Sequence, residues 1–262
     1  MTTVALAHDI DGPADGTAVV LLHSIGTDRR LWRAHVAPLV ADGLRVISVD
    51  LRGHGGSPVP DGPYAMADLG GDVVSLLDRL GITRAHVVGV SIGGAVGLWL
   101  AAHRPDRVSR LVGCCTAAWF GGPDLWVPRA ATARRDGTAA LVDSTAERWF
   151  TPEFRTEEPG AVDAVRRTFV ATADEGYAGC ADALAACDLR TDLPRIVAPT
   201  LIVAGAHDAG TPPDTAARPI VAAIPGSRLE VVDDAAHLAP YERPDVVGPL
   251  IRRHLAFRAV DA

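Results

Sequence analysis

Residues 85–94 read Ala-His-Val-Val-Gly-Val-Ser-Ile-Gly-Gly, an apolar run that leads into a Gly-x-Ser-x-Gly motif centred on Ser91. The run is rich in valine, as buried strands are, and an apolar stretch of helical length follows it. Glycines at positions 89 and 93 let the backbone turn sharply and let neighbouring chain pass close to the serine. A helix that starts at such a turn directs its free N–H groups at a developing oxyanion. The stretch therefore predicts a strand–turn–helix unit that presents a nucleophilic serine.

The composition limits what the chain binds and which chemistry it uses. Its 262 residues fit one large α/β domain, and an apolar content of 48% is enough for a core. The net charge of −7 argues against nucleic acid and anionic membrane surfaces as partners. All 25 basic residues are arginine, and the sequence contains no lysine, asparagine or glutamine. Catalysis through a lysine Schiff base is therefore excluded, and so is an oxyanion site built from amide side chains.

The cysteines and the first residues of the chain indicate a cytoplasmic protein. Cys114, Cys115, Cys180 and Cys187 lack paired CxxC spacing, so we expect buried free thiols in a reducing compartment and no bound metal. The first residues lack the basic start and the long apolar core of a signal peptide, and no apolar run is long enough to span a membrane. The sequence therefore predicts a cytoplasmic location and no membrane partner. It leaves open whether identical chains assemble.

Short apolar segments alternate with helical segments along most of the chain. This alternation predicts an α/β fold with a mostly parallel, doubly wound sheet. Two segments, residues 19–22 and 201–203, are apolar throughout, as strands buried on both faces are. We predict strands at residues 3–7, 18–23, 45–49, 86–90, 110–114, 201–204 and 229–232.

The alternation stops between residues 119 and 194. Amphipathic stretches broken by glycine and proline fill this region, and strand-like runs are missing from its sequence. We expect an inserted helical cap over the sheet edge at which open α/β folds bind ligands. An ordinary peripheral layer of helices is the alternative. The predicted organisation is an α/β core of residues 1–118 and 195–262 with a cap of residues 119–194.

A serine nucleophile requires a base, and the base requires an acid that orients it. Among nine histidines, His237 is the preferred base because it follows the last predicted strand and so lies at the same sheet edge as Ser91. Asp208 is the preferred acid because it directly follows the strand before that one. Asp233 and Asp234 are rivals, but they lie too close to His237 along the chain to approach its ring from behind.

Backbone N–H groups must hold the oxyanion, because suitable amide side chains are missing. The first donor is the N–H of Ile92, directly after the nucleophile. The second is expected from the loop after the second predicted strand, which precedes a helix at the required edge. In this loop the N–H of Ile25 is preferred, and that of Ser24 is the alternative.

The order Ser91, Asp208 and His237 on alternating strands and helices resembles the α/β-hydrolase superfamily over nearly the whole chain. The stretches Asp50-Leu-Arg-Gly-His-Gly-Gly-Ser57 and Ala198-Pro-Thr-Leu-Ile-Val-Ala-Gly-Ala-His-Asp208 are also similar to that superfamily. Within it, the chain looks most like the bacterial 3-oxoadipate enol-lactonases. That resemblance rests on Leu51-Arg-Gly-His-Gly55, Gly62-Pro-Tyr64, Pro123-Asp-Leu-Trp126, Glu147-Arg-Trp-Phe-Thr-Pro-Glu-Phe154, Glu175-Gly-Tyr-Ala-Gly-Cys180 and Asp188-Leu-Arg-Thr-Asp-Leu193.

The resemblance implies hydrolysis of a small enol-lactone that carries an acetate side chain, in the β-ketoadipate pathway of aromatic-acid catabolism. It implies no metal and no organic cofactor, since attack by Ser91 and proton transfer by His237 suffice. The chain departs from the family's pattern at His23, Ile92 and Cys115. These departures bear on the identity of the substrate more than on the chemistry.

The carboxylate of such a substrate needs a cation, which in a chain without lysine is an arginine or a protonated histidine. Arg129 and Arg134 of the predicted cap are the preferred donors, and Trp126 is expected to wall the pocket. The rival functions are a carboxylesterase, a perhydrolase and a carbon–carbon bond hydrolase of the same fold. A non-catalytic receptor for a small ligand is a rival of a different class.

Overall fold

A computed structural model describes residues 3–256 and arranges seven strands in one sheet. The strands are β1 (His8–Asp11), β2 (Thr17–Leu22), β3 (Leu44–Val49), β4 (Ala85–Val90), β5 (Val108–Cys114), β6 (Thr200–Gly205) and β7 (Arg228–Val232). Their spatial order is β1-β3-β2-β4-β5-β6-β7, and β1 alone among the described strands runs antiparallel to its neighbour. This architecture confirms the predicted α/β fold with a mostly parallel sheet.

The first predicted strand is wrong, because residues 3–7 do not join the sheet. Their backbone N–H groups bond to side chains instead: Val4 donates to Asp72 Oδ1 over 2.8 Å, and Ala7 donates to Ser57 Oγ over 2.8 Å. The first strand is β1, which pairs along β3 with His8 opposite Val49. Of residues 3–7, Leu6 alone is buried and Thr3 and Ala5 are exposed, so this apolar stretch is not a buried strand.

Right-handed connections explain how the helices surround the sheet. The chain steps from β2 to β3 in one direction and then returns across β2 to reach β4. Right-handed crossovers consequently place α1 and α2 on opposite faces. The helices are α1 (Arg33–Ala41), α2 (Met66–Arg79), α3 (Ile92–His103), α4 (Pro123–Asp136), α5 (Val142–Trp149), α6 (Pro152–Glu157), α7 (Pro159–Ala171), α8 (Asp174–Ala185), α9 (Arg218–Ala223), α10 (Ala239–Glu242) and α11 (Pro244–Ala256).

The middle of the sheet forms the core, as the uninterrupted apolar runs predict. From Val19 to Leu22, every side chain of β2 is fully buried, and all six residues of β4 are buried as well. A strand covered by helices on both faces has no polar side, so alternation disappears from its sequence. Parallel pairing of β2 with β4, with Leu22 opposite Gly89, places their carboxyl ends side by side, and these ends carry the loops that contain Ile25 and Ser91.

Residues 119–194, all of which the structure describes, hold α4 to α8 and no strand of the sheet. Their sole ladder contact is an isolated bridge between Trp119 and Asp188. Within this segment α4 packs along α8. The division of the chain into a core of residues 1–118 and 195–262 and a cap of residues 119–194 stays a prediction. Residues 1–2 and 257–262 of that division lie outside the described range.

The four thiols are buried, as expected for free cysteines. Burial raises the pKa of Cys180 and Cys187 to about 12 and raises those of Cys114 and Cys115 as well. Such thiols stay protonated and do not act as nucleophiles. Between residues 3 and 256 the structure has no helix with the length and apolarity needed to cross a bilayer.

Candidate active site

Ser91 lies at the turn between β4 and α3 with φ 56° and ψ −119°, a backbone conformation that costs a non-glycine residue free energy. Neighbouring groups hold it there. The Ser91 N–H donates to the Cys114 carbonyl over 2.9 Å, and the Ser91 carbonyl accepts from Thr116 Oγ1 over 2.7 Å and from the Ala95 N–H over 3.0 Å. The strained serine is thus fixed from β5 as well as from α3.

The two glycines of the motif are required by space. A Cβ atom at Gly89 would lie 2.2 Å from the Gly93 carbonyl oxygen, and one at Gly93 would lie 2.5 Å from the Leu22 carbonyl oxygen. Both contacts are with backbone atoms, which cannot move aside as a flexible side chain can. Substitution of either glycine would therefore displace the turn that carries Ser91.

His237 and Asp208 are brought together from the loops that follow β7 and β6. The Nδ1 atom of His237 lies 2.9 Å from Asp208 Oδ2 and 3.0 Å from Oδ1. A carboxylate only accepts, so Nδ1 carries the proton and Nε2 is left as the basic nitrogen. The rival acid Asp234 instead forms an ion pair with Arg243.

The carboxylate of Asp208 is held ionised although it is buried. Burial on its own would raise the pKa of Asp208, but the charge and hydrogen bond of His237 and the bonds from Thr211 outweigh burial and lower that pKa. Thr211 donates from its hydroxyl to Oδ2 over 2.6 Å and from its N–H to Oδ1 over 3.0 Å, and the Gly210 N–H donates over 2.8 Å. Asp208 can therefore orient His237 and stabilise its protonated form.

The Glu242 carboxylate holds the loop that carries His237, a role that the sequence analysis missed. Its Oε2 accepts the N–H of Ala236, the residue before His237, over 2.8 Å. Its Oε1 accepts the N–H and the hydroxyl of Thr151, between α5 and α6. The side chain is buried, so this carboxylate links the histidine loop directly to the helical segment.

A cavity of about 60 Å³ lies against Ser91 and His237. Side chains from the sheet edge form one wall, and side chains from α4, α5 and α8 form the other. Of the predicted site residues, the cavity brings together Ser91, His237, Ile25, Trp126 and Arg129. The full lining is Ile25, Ser91, Phe120, Leu125, Trp126, Arg129, Thr145, Arg148, Trp149, Tyr177, Gly210, Thr211 and His237.

The two predicted oxyanion donors have N–H groups that are not engaged elsewhere. Ile92 is the first residue of α3, where a helical N–H has no intrahelical acceptor, and Ile25 lies in the loop after β2. Within residues 3–256, no protein acceptor lies in hydrogen-bond range of either N–H. Ile25 lines the cavity and Ser24 does not. The placement favours Ile25 over Ser24 as the second donor.

Arg129 and Arg148 bring two positive charges to the cavity wall. Arg129 donates to the Tyr177 hydroxyl over 2.9 Å and to Thr145 Oγ1 over 2.9 Å, and Arg148 donates from Nε to the Ser144 carbonyl over 3.0 Å. These acceptors are neutral, and no carboxylate within the described range pairs with either guanidinium. Burial and the neighbouring charge of Arg129 lower the pKa of Arg148. Two neighbouring cations without a carboxylate partner in the described range are an arrangement that suits an anionic ligand.

The structure does not bring Arg134 to this site. Its guanidinium is bound by Glu175 over 2.8 Å and by Asp182 over 2.8 Å, and it is absent from the cavity lining. Two carboxylates already neutralise the charge that a substrate would need. Arg148 takes the position that the sequence analysis gave to Arg134.

Aromatic rings close the cavity around the catalytic candidates. The Trp126 indole N–H donates to the Phe120 carbonyl over 2.9 Å, which fixes the ring in the wall, and the Arg129 guanidinium lies 5.6 Å from the ring centre. Trp149 lies nearly parallel to the His237 ring at 6.3 Å. Trp149 and Arg148 lie in the stretch 147–154, which the sequence analysis singled out without assigning roles.

Residues 17–244 match the model of the α/β-hydrolase fold family. The chain belongs to the α/β-hydrolase family. This α/β-hydrolase is 39% identical to 3-oxoadipate enol-lactonase 2 of Acinetobacter baylyi over 92% of its own length and 89% of that protein. It superposes on the enol-lactonase from Burkholderia xenovorans LB400 with a TM-score of 0.94 and 40% identity, covering 97% of both chains.

A thermophilic esterase from Thermogutta terrifontis, solved with malate bound, is a further structural relative. Its TM-score is 0.90 and its identity is 32%, with 96% of this chain and 93% of that one covered. The shared fold and these relatives make the protein a hydrolase of ester or lactone bonds. The predicted resemblance to α/β-hydrolases, and within them to the enol-lactonases, is confirmed.

Proposed function

We propose that this α/β-hydrolase opens 3-oxoadipate enol-lactone to 3-oxoadipate through an acyl-enzyme on Ser91, in the cytoplasmic breakdown of aromatic acids. One observation carries the proposal: Ser91 and His237, whose ring Asp208 holds, line a cavity whose opposite wall has two arginines without carboxylate partners among the described residues. The serine and histidine attack an ester, and the arginines bind a carboxylate. A small lactone with an acetate side chain carries both an ester and a carboxylate.

Acylation opens the ring. Ser91 Oγ bonds to the lactone carbonyl carbon while its proton passes to Nε2 of His237, whose imidazolium Asp208 stabilises. The carbonyl oxygen becomes an oxyanion, which the N–H groups of Ile25 and Ile92 stabilise. Collapse of this intermediate breaks the bond between the carbonyl carbon and the ring oxygen. The ring oxygen leaves as an enolate, takes the proton from His237 and tautomerises to a ketone.

Hydrolysis of the acyl-enzyme restores the serine. Water gives a proton to His237 Nε2 while its oxygen bonds to the acyl carbon, and the same two N–H groups hold the second oxyanion. The bond from the acyl carbon to Ser91 Oγ then breaks, and Oγ takes the proton back from His237. These steps use protein groups and water alone.

The acetate carboxylate is assigned to Arg129 and Arg148. Tyr177 and Thr145 hold the Arg129 guanidinium in the wall through neutral oxygens, so its positive charge stays available. Ligand binding would relieve the repulsion between the two arginines, which favours an anion over a neutral substrate. The helical segment 119–194 thereby acts as a cap that supplies selectivity to the core.

The test is a steady-state assay with freshly generated enol-lactone beside p-nitrophenyl acetate and other neutral esters. We expect kcat/KM for the enol-lactone to exceed that for every neutral ester by at least about a hundredfold, as a desolvated ion pair allows. Equal values would point to a general carboxylesterase. Binding without turnover of any ester would point to a receptor, and either result would refute the proposed function.

A further inference from the structure

Two buried histidines outside the proposed catalytic steps lie beside the loop that carries Ile25. His23 follows β2, and His54 lies in the loop after β3. Both side chains are excluded from solvent, and their ring centres are 5.1 Å apart. Neither ring lines the cavity, so neither contacts substrate.

Backbone donors fix the tautomer of both rings. The Gly26 N–H donates to Nε2 of His54 over 2.9 Å, and the Leu51 N–H donates to Nε2 of His23 over 2.9 Å. A backbone N–H only donates, so each Nε2 is an unprotonated acceptor and each Nδ1 carries the proton. Burial supports this state, because it lowers the pKa of His54 to about 3 and lowers that of His23.

The two rings link the two loops reciprocally. His23 accepts from the loop after β3, and His54 accepts from the loop after β2. Each Nδ1–H then donates within its own loop, from His54 to the Arg52 carbonyl over 3.1 Å and from His23 to the Ser24 carbonyl over 2.7 Å. The two bonds that Nε2 accepts require neutral rings.

The bond to the Ser24 carbonyl reaches the oxyanion donor through one peptide group. The Ser24 C=O and the Ile25 N–H belong to the same planar trans peptide, so they point in opposite directions. The Ser24 oxygen accepts from His23 Nδ1 and also from the N–H and the hydroxyl of Thr27, over 3.1 and 2.8 Å. Three donors on one side of this peptide fix the direction of the Ile25 N–H on the other.

The next peptide is fixed as well. It joins the Ile25 C=O to the Gly26 N–H, and His54 holds that N–H. With the peptide before Ile25 held by His23 and the peptide after it held by His54, both backbone dihedrals of Ile25 are constrained. A donor of this kind is effective when it needs no reorganisation as the charge develops.

We propose that His23 and His54 are positioning residues that hold the Ile25 N–H toward the oxyanion. The proposal rests on the proposed function, because it takes Ile25 as an oxyanion donor. The pair acts on the transition state of any ester, so p-nitrophenyl acetate reports on it whatever the natural substrate is.

Amide variants separate the two nitrogens of each ring. A glutamine amide reaches the place of Nε2, and an asparagine amide reaches the place of Nδ1. His54→Gln keeps an acceptor for the Gly26 N–H, and His54→Asn loses it. At position 23 the order reverses, because His23→Asn keeps a donor for the Ser24 carbonyl and His23→Gln loses it.

We expect His54→Asn and His23→Gln to lower kcat for p-nitrophenyl acetate about ten- to a hundredfold with KM little changed. His54→Gln and His23→Asn should stay within about threefold of the wild type. A boronic acid, which forms a tetrahedral adduct with the serine, should lose affinity in proportion to kcat. His35→Asn is the matched control: His35 is buried and its Nε2 bonds to the Pro240 carbonyl, a bond that asparagine cannot make, so the change should lower Tm without lowering kcat.

Each outcome decides something. Equal losses for both amides at a position, or a fall in Tm with kcat unchanged, would overturn the positioning role. If His54→Asn does not fold, the pair at position 23 gives the same test. A wild type that turns over no ester refutes the proposed function instead. Hydrogen exchange of the Gly26 amide then tests the bond from the Gly26 N–H to position 54 without any assay of activity. We expect fast exchange in His54→Asn and slow exchange in His54→Gln.

Discussion

The two walls of the cavity are built in different ways. At the sheet edge, Ser91, Asp208 and His237 lie on the loops that follow parallel strands, and hydrogen bonds from backbone N–H groups hold these loops. On the helical side, Arg129 is held by the hydroxyls of Tyr177 and Thr145, which come from two other helices. The strand ladder and bonds from backbone N–H groups fix the first wall, and contacts between side chains fix the second.

This difference in construction assigns catalysis to the sheet edge and substrate selectivity to the helical wall. A wall anchored in a ladder keeps the reacting atoms in place for every substrate, and a wall built from side chains can change its charge without disturbing that geometry. Changes at the sheet edge should therefore lower kcat for charged and neutral substrates alike. Changes in the helical wall should affect KM, and for anions alone.

The largest effects are expected at the sheet edge. Ser91→Ala and His237→Ala should each lower kcat by about 10⁵- to 10⁶-fold, and Asp208→Asn by about 10⁴-fold. The triple variant should be little worse than Ser91→Ala, because the three residues act as one unit. Steady-state rates with enol-lactone and p-nitrophenyl acetate measure this. Near-normal activity in Asp208→Asn together with an inactive Asp234→Asn would show that the acid is misassigned.

The helical wall should show a selective loss. Arg129→Met and Arg148→Met should raise KM for the enol-lactone by up to about a hundredfold and change hydrolysis of neutral esters by less than about threefold. Arg134→Met is the matched control on the same helix as Arg129, and its carboxylate partners predict an unchanged KM. Equal losses on charged and neutral substrates would show that Arg129 and Arg148 merely hold the helices together.

Glu242 is bonded to both walls, so its substitution should affect the stability of the protein as well as kcat. Glu242→Gln puts an amide donor against N–H donors from Ala236 and Thr151. We expect the free energy of unfolding to fall by about 1–3 kcal/mol and kcat to fall about threefold to tenfold for all substrates. Urea denaturation and ester kinetics measure both. Glu230→Gln, on an exposed position of β7, should change neither.

The smallest effect concerns stability at low pH. The folded-state pKa of Asp208 lies below its unfolded value of about 3.9. Its contribution is therefore complete above about pH 5 and is lost as pH falls through the unfolded pKa and then the lower, folded pKa. The difference in unfolding free energy between wild type and Asp208→Asn should be constant from pH 7 to about pH 5 and shrink below pH 4. A difference that grows toward acid pH would contradict the assignment.

The sheet edge could be predicted from the sequence because parallel strands end together. Asp208 and His237 are 29 residues apart along the chain, yet each directly follows a strand of the same sheet, so their meeting needs no knowledge of side-chain packing. The same argument gave the positions of Ile25 and Ile92. It failed at residues 3–7, an apolar run in which Leu6 alone is buried, and the strand begins at His8.

The helical wall could be predicted only in outline. Arg129 and Arg134 are five residues apart on α4, which turns them about 140° from each other around the helix, so they cannot face one cavity together. Which of them faces inward depends on how α4 packs against α8. Arg148 comes from another helix, and the contact of His23 with His54 joins two distant loops. Nothing local in the sequence encodes such meetings.

The buried thiols have a consequence for chemical labelling. An electrophile added to the protein meets no lysine, and the four cysteines are enclosed and protonated. Lysine amines and cysteine thiolates, which compete for electrophiles in most proteins, are therefore not available to react. A fluorophosphonate probe should attach once, at Ser91, and the intact mass should rise by a single adduct. The active serine could then be titrated in the purified protein without knowledge of the natural substrate.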